Sequence, residues 1–110
     1  MRRVTRLTGA TRLDENTALG PGLCQIEEMR FHLENPGAVP GELFTITIDS
    51  AAAAVYDTVL FSQDMDSVQD VHWLPVRPIL VLPGDELTLL FPNAADDNYG
   101  LEIVWSGLGV

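Results

Sequence analysis

Apolar and polar residues alternate along much of this chain with a period of two. Met29, Phe31 and Leu33 are interleaved with Glu28, Arg30, His32 and Glu34, and Phe44, Ile46 and Ile48 with Thr45, Thr47 and Asp49. Successive side chains of an extended chain point to opposite faces, so this spacing predicts strands with one face in a core. The two strands are joined by the turn-rich stretch NPGAVPG, whose prolines and glycines favour a reversal. Leu87, Leu89 and Phe91 make one face of a later strand, PNAADDN is a loop, and Tyr99, Leu101, Ile103 and Trp105 make one face of the last strand.

Other segments break this rule in informative ways. Ser50 to Ala54 is alanine-rich but too short for a helix, and it leads directly into VYDTVLFSQ, so it reads as a loop feeding a strand. Within that strand Val59, Leu60 and Phe61 are contiguous, which predicts a central strand covered on both faces. The segments VHWLPV and PILVL are broken by Pro75, Pro78 and Pro83. Proline cannot donate to a ladder, so both belong at an edge or at a corner between sheets. The first 22 residues keep neither period: Val4, Leu7, Leu13 and Leu19 are irregularly spaced, and the segment ends at Gly20-Pro21-Gly22. It reads as an extended arm. The prediction is an all-β protein: an antiparallel β-sandwich of jelly-roll type over residues 23–110, about seven to eight short strands, behind an N-terminal arm over residues 1–22.

Charge adds a second asymmetry. Arg2, Arg3, Arg6 and Arg12 stand in the first twelve residues without an acid, whereas the remainder holds Arg30 and Arg77 against all sixteen acids, for a net charge of −10. A basic lead on an acidic body predicts an arm that lies on another molecule, with Val4, Leu7 and Leu13 adding apolar contact. The partners this implies are other copies of the chain. Lysine is absent, a bias that fits a GC-rich genome or a salty habitat. The acidic body repels phosphate backbones, so no nucleic-acid partner is expected. No segment approaches the ~20 apolar residues of a membrane span, and the first twenty residues lack the apolar stretch of a secretory signal. A length of 110 residues with 46% hydrophobic content suits one domain with a thin stability margin, which burial against a neighbour would widen.

Candidate chemistry is sparse. Glu27 and Glu28, Asp85 and Glu86, and Asp96 and Asp97 are adjacent pairs; neighbours on a strand face opposite ways, and the turn and loop pairs read as solvated charge. Asp64, Asp66 and Asp70 offer hard oxygens for calcium, but Val68 and Gln69 stand where a calcium loop needs an oxygen ligand and a glycine. His32 and His72 fall on the faces opposite their large apolar neighbours and read as surface residues rather than zinc ligands. Cys24, the single cysteine, reads as a small buried hydrophobe at a strand start. Phosphate-binding and nucleophile-elbow motifs fail at defining positions. The expectation is no enzyme, no metal and no cofactor. Trp73, flanked by prolines, is the one residue placed to act as a stacking platform for a glycan.

The run from Ile26 to Trp105, through IEEMRFHLENPG, ELFTITIDSAAAAVYDTVLFSQDM, VHWLPVRPILVLPGDELTLLFPN and NYGLEIVW, resembles a group of small β-sandwich proteins encoded among the structural genes of tailed phages and phage-like particles. The resemblance covers nearly all of the chain past the arm. It implies a virion component assembled in the host cytoplasm: a head decoration or cement protein, or the base of a head spike or fibre, set in symmetric copies on capsid or other virion proteins. It carries over no catalytic residues. The alternative reading is a carbohydrate-binding or adhesin module working through Trp73.

Overall fold

The computed structural model describes residues 2–108, and the strands in that span are nine. They are β1 (Arg2–Gly9), β2 (Leu13–Thr17), β3 (Cys24–Leu33), β4 (Leu43–Asp49), β5 (Thr58–Asp64), β6 (Asp70–Trp73), β7 (Ile79–Val81), β8 (Glu86–Phe91) and β9 (Tyr99–Gly107). One sheet runs β1-β9-β3-β6, with the short β7 also on β3, and the other runs β2-β8-β4-β5. All strand pairings are antiparallel. With β7 set aside, the chain changes sheet at every connection except β4 to β5. That is the path of a jelly roll, and the β-sandwich expected from the alternation is the fold.

The four alternating runs become β3, β4, β8 and β9, and their predicted inward faces are the core. Phe31 of β3 stacks on Phe44 of β4 across the sheets, with centroids 4.1 Å apart and planes 6° apart, and meets Phe91 edge-on at 5.6 Å. Burying each such side chain contributes roughly 1.5–3 kcal/mol, so this contact between sheets is where the sandwich is clamped. Cys24 is buried, as its place at a strand start suggested. Ser50 to Ala54 forms a loop that passes through one 3₁₀ turn, Ala54–Tyr56, into β5. The proline-broken segments become β6 and β7, which both pair only with β3.

Two expectations are corrected. Residues 2–22 are not an arm on a separate domain. β1 pairs with β9 along its whole length, from Arg2 opposite Ser106 to Gly9 opposite Tyr99, and β2 pairs with β8 from Leu13 opposite Phe91 to Thr17 opposite Leu87. The segment therefore supplies one edge strand to each sheet. Its periodicity was hidden because the inward side of β1 is Arg3, Thr5, Leu7 and Gly9, a mixture no hydropathy pattern reveals. Met1 of the predicted arm, and Gly109 and Val110 of the predicted domain, lie outside the described residues.

The second correction concerns β5, which is not central. It is the edge of its sheet, paired with β4 alone, and Leu60 bulges between the partners of Ile46 and Thr47. Phe61 turns toward Trp73 and Phe44 at the seam between the sheets, while Val59 is exposed. A sequence that predicts cover on both faces here receives it from its own chain on one face.

Candidate functional site

Every arginine of the N-terminal segment has a partner within the molecule. Arg2 Nε donates to Glu27 at 2.7 Å and Arg6 Nε to Glu102 at 2.7 Å; Arg12 lies 3.6 Å from Asp14; Arg3 sits 5.7 Å over the Trp105 ring. Leu7 packs on the core and Leu13 is inside it, whereas Val4 stays exposed. The expected assembly residues thus serve the chain's own sheets. Two glycines permit the close fit: a Cβ on Gly9 would lie 2.7 Å from the Tyr99 hydroxyl oxygen, and one on Gly20 would lie 3.0 Å from the Trp105 ring. Trp105 Nε1 donates to Thr5, and buried Asn93 donates to the carbonyls of Thr11 and Asp97. The side of the sandwich where β1 faces β2 is sealed by packing and hydrogen bonds together.

The outward face of the β1-β9-β3-β6 sheet gathers both histidines with several charged residues. Strand register sets Arg6, Glu102, Arg30 and His72 in one row and Thr8, Gly100, His32 and Asp70 in the next. Gly100 leaves a gap in the second row, and a groove of about 580 Å³ opens there. Glu102 bridges Arg6 and Arg30, while His72 Nε2 lies 2.6 Å from Glu28 and His32 Nδ1 2.5 Å from Asp70. The Arg6 hydrogen bond and the Arg30 charge hold the Glu102 carboxyl below the usual glutamate range. The Ser106 hydroxyl and Arg2 do the same for Glu27. Burial, aided by Glu15, pushes the Tyr99 phenol up. These are alternating charges across a solvated sheet face, the arrangement that ties neighbouring strands together.

Two imidazole–carboxylate pairs invite comparison with a catalytic relay, which needs a hydroxyl or thiol beside the ring. Thr8 lines the groove, but its hydroxyl donates to the Tyr99 carbonyl, and Cys24 is buried elsewhere, 3.4 Å from the Gly22 carbonyl oxygen. The loop acids have local work. Asp64 accepts from the amides of Gly41 and Asp66, Asp70 faces His32, and Asp97 accepts from Asn35. Trp73 is half-buried with its ring centroid 5.3 Å from that of Phe61. It packs at the seam against Phe61, with part of its surface in solvent.

The opposite side of the sandwich, where β5 faces β6 and β7, is unlike the rest of the surface. Val55, Tyr56, Leu74, Val76, Leu80 and Leu82 are exposed on the segments that border it, with Val76 at 100%, Val55 at 84% and Tyr56 at 64%, while Val59, opposite Thr47, is exposed on the outer face of its sheet. Beneath them Leu60, Phe61, Trp73 and Ile79 are only partly buried. Tyr56, Leu80, Leu82, Ile48 and Ala52 line a shallow depression of about 500 Å³ between the 3₁₀ turn and β7. Single exposed apolar residues are ordinary, whereas six large ones on neighbouring segments are more than scattered exposure accounts for.

Sequence reasoning placed His32 and His72 on the surface but did not bring them together, because their proximity depends on which residues of β3 and β6 pair. It also missed the apolar side. No protein-family model matches this chain, and a search of curated proteins returns no significant relative.

Proposed function

We propose that this protein is a structural subunit of a phage or phage-like virion, a head decoration or cement protein or the base of a head spike or fibre, held in place through its apolar side. The observation that carries this reading is the exposure of Val55, Tyr56, Leu74, Val76, Leu80 and Leu82 on the segments of one side, each more exposed than Val4, Val39, Leu43 and Leu108 elsewhere. An apolar side of this extent is costly in isolation, since each large side chain left in water forgoes roughly 1.5–3 kcal/mol. It becomes favourable when another surface covers it. The sequence resemblance supplies the setting, and the short connections and stacked Phe31–Phe44 centre supply a stiff block suited to repeated placement.

Imaging of purified particles tests this. Particles carrying the wild-type chain should show its density on the shell, tail or spike, and particles made with Val76→Asp should lack it. Purified particles without the chain would overturn the reading.

A further inference from the structure

We infer that the apolar side is covered by the same side of a second copy of this chain, related by a two-fold axis. The inference rests on reading that side as a contact surface. Four features select this occupant.

The first is extent. The six exposed residues together present on the order of 700 Å² of surface, close to the ~800 Å² that one partner contributes to a standard interface.

The second is the lack of another counterpart among the described residues. The opposite edge carries Arg2, Arg3 and Arg6 on β1 and Asp14 and Glu15 on β2, and the remaining exposed large apolar residues, Val4, Val39, Leu43 and Leu108, are dispersed. Head-to-tail contact would set apolar surface on charge. Among the described residues, the same side repeated is what offers apolar surface to apolar surface, which is the condition for a two-fold contact.

The third is shape. Pro75 and Pro78 bracket Val76 and Arg77, so the β6–β7 loop loses little freedom when it docks. It presents a fully exposed valine, while Tyr56, Leu80 and Leu82 line a hollow nearby. A two-fold axis lets each loop enter the other copy's hollow.

The fourth is charge. Two chains of net charge −10 repel, yet Arg77 stands on this side and makes no ion pair with a described residue, and Asp57 and Asp85 lie on its rim. Across a two-fold contact each Arg77 meets the partner's rim acids, which offsets part of the repulsion.

The test is the mass in solution of the full chain, by light scattering and sedimentation over a dilution series, for wild type, Val76→Asp, Leu82→Glu and Arg2→Ala. The expected result is twice the 12.0 kDa chain mass for wild type and Arg2→Ala, with self-association at least roughly tenfold weaker in Val76→Asp and Leu82→Glu. Because Val76 is fully exposed, the melting curve of Val76→Asp under monomeric conditions should match wild type. A wild-type chain that stays monomeric, or a dimer untouched by both apolar-side variants, overturns the inference. Particle imaging separates this from the virion reading. A monomer whose Val76→Asp variant loses its place on particles defeats the pairing and keeps the contact surface. A dimer absent from particles keeps the pairing and defeats the virion role.

Discussion

The two seams of this sandwich are closed in different ways. Where β1 faces β2, the first twenty-odd residues contribute a strand to each sheet, bury Leu13 and Leu19, lay Gly9 and Gly20 against Tyr99 and Trp105, and answer four arginines with local partners. Where β5 faces β6 and β7, the seam is held by Phe61 and Trp73, and apolar side chains continue outward into solvent. One seam is closed by strands, packing and ion pairs; the other leaves apolar side chains in solvent. A basic, extended, weakly patterned segment is therefore not by itself a partner-seeking arm, and the exposed apolar side lies across the molecule from it.

The strongest way to break this contrast is to remove the sealing segment. Deleting residues 1–17 takes one strand from each sheet and uncovers Phe91, Tyr99 and Trp105, so the remaining chain should lose its cooperative melting transition by circular dichroism. A truncated chain that melts like the full one would restore the idea of a detachable arm.

A finer comparison sets one residue from each seam side by side. Leu13→Ala removes a side chain that is 1% exposed and should cost about 2–5 kcal/mol of stability. Val76→Ala, on the apolar side, should stay within about 0.5 kcal/mol. Chemical denaturation at a dilution that keeps the chain monomeric measures both, because self-association would otherwise stabilise the folded state by mass action.

The smallest effect belongs to the ion pairs of β1. The carboxyls of Glu27 and Glu102 are held below the usual glutamate range, chiefly by the Ser106 and Arg6 hydrogen bonds respectively. A depressed carboxyl contributes stability that is complete above its unfolded value, near ~4.3, and is lost as pH falls through its folded value. Stability should therefore decline below about pH 4, and Arg6→Ala should shrink the part of that decline due to Glu102. An acid profile unchanged in Arg6→Ala would show that this pair does not bind β1 to β9.

How much could be read in advance follows the patterns themselves. Strands β3, β4, β8 and β9 were legible because each buries one face, and burial imposes a period of two on Met29-Phe31-Leu33 or Leu87-Leu89-Phe91. The edge placement of β6 and β7 was legible because Pro75, Pro78 and Pro83 cannot donate to a ladder. Strand β1 was illegible because an edge strand over the rim of a core tolerates Arg3 and Thr5 inward, one stacked on Trp105 and the other bonded to it. The run Val59-Leu60-Phe61 announced burial on two faces, and the fold provides it on one, leaving Val59 exposed on the outer face of its sheet. The groove over Gly100 was beyond reach, since its rows exist only through the register of four strands drawn from distant parts of the chain.

Hydropathy alternation, proline placement and the absence of a helical period determined by themselves that this chain is an antiparallel β-sandwich with a single aromatic core. Tertiary structure alone decided that the arginine-rich beginning turns back onto Glu27 and Glu102, that the histidines share a face, and that one long side stays apolar. The reason is physical. Burial of one face writes a local period into the sequence, whereas pairing partners and exposed edges are set by contacts between residues as much as a hundred positions apart, such as Thr5 with Trp105.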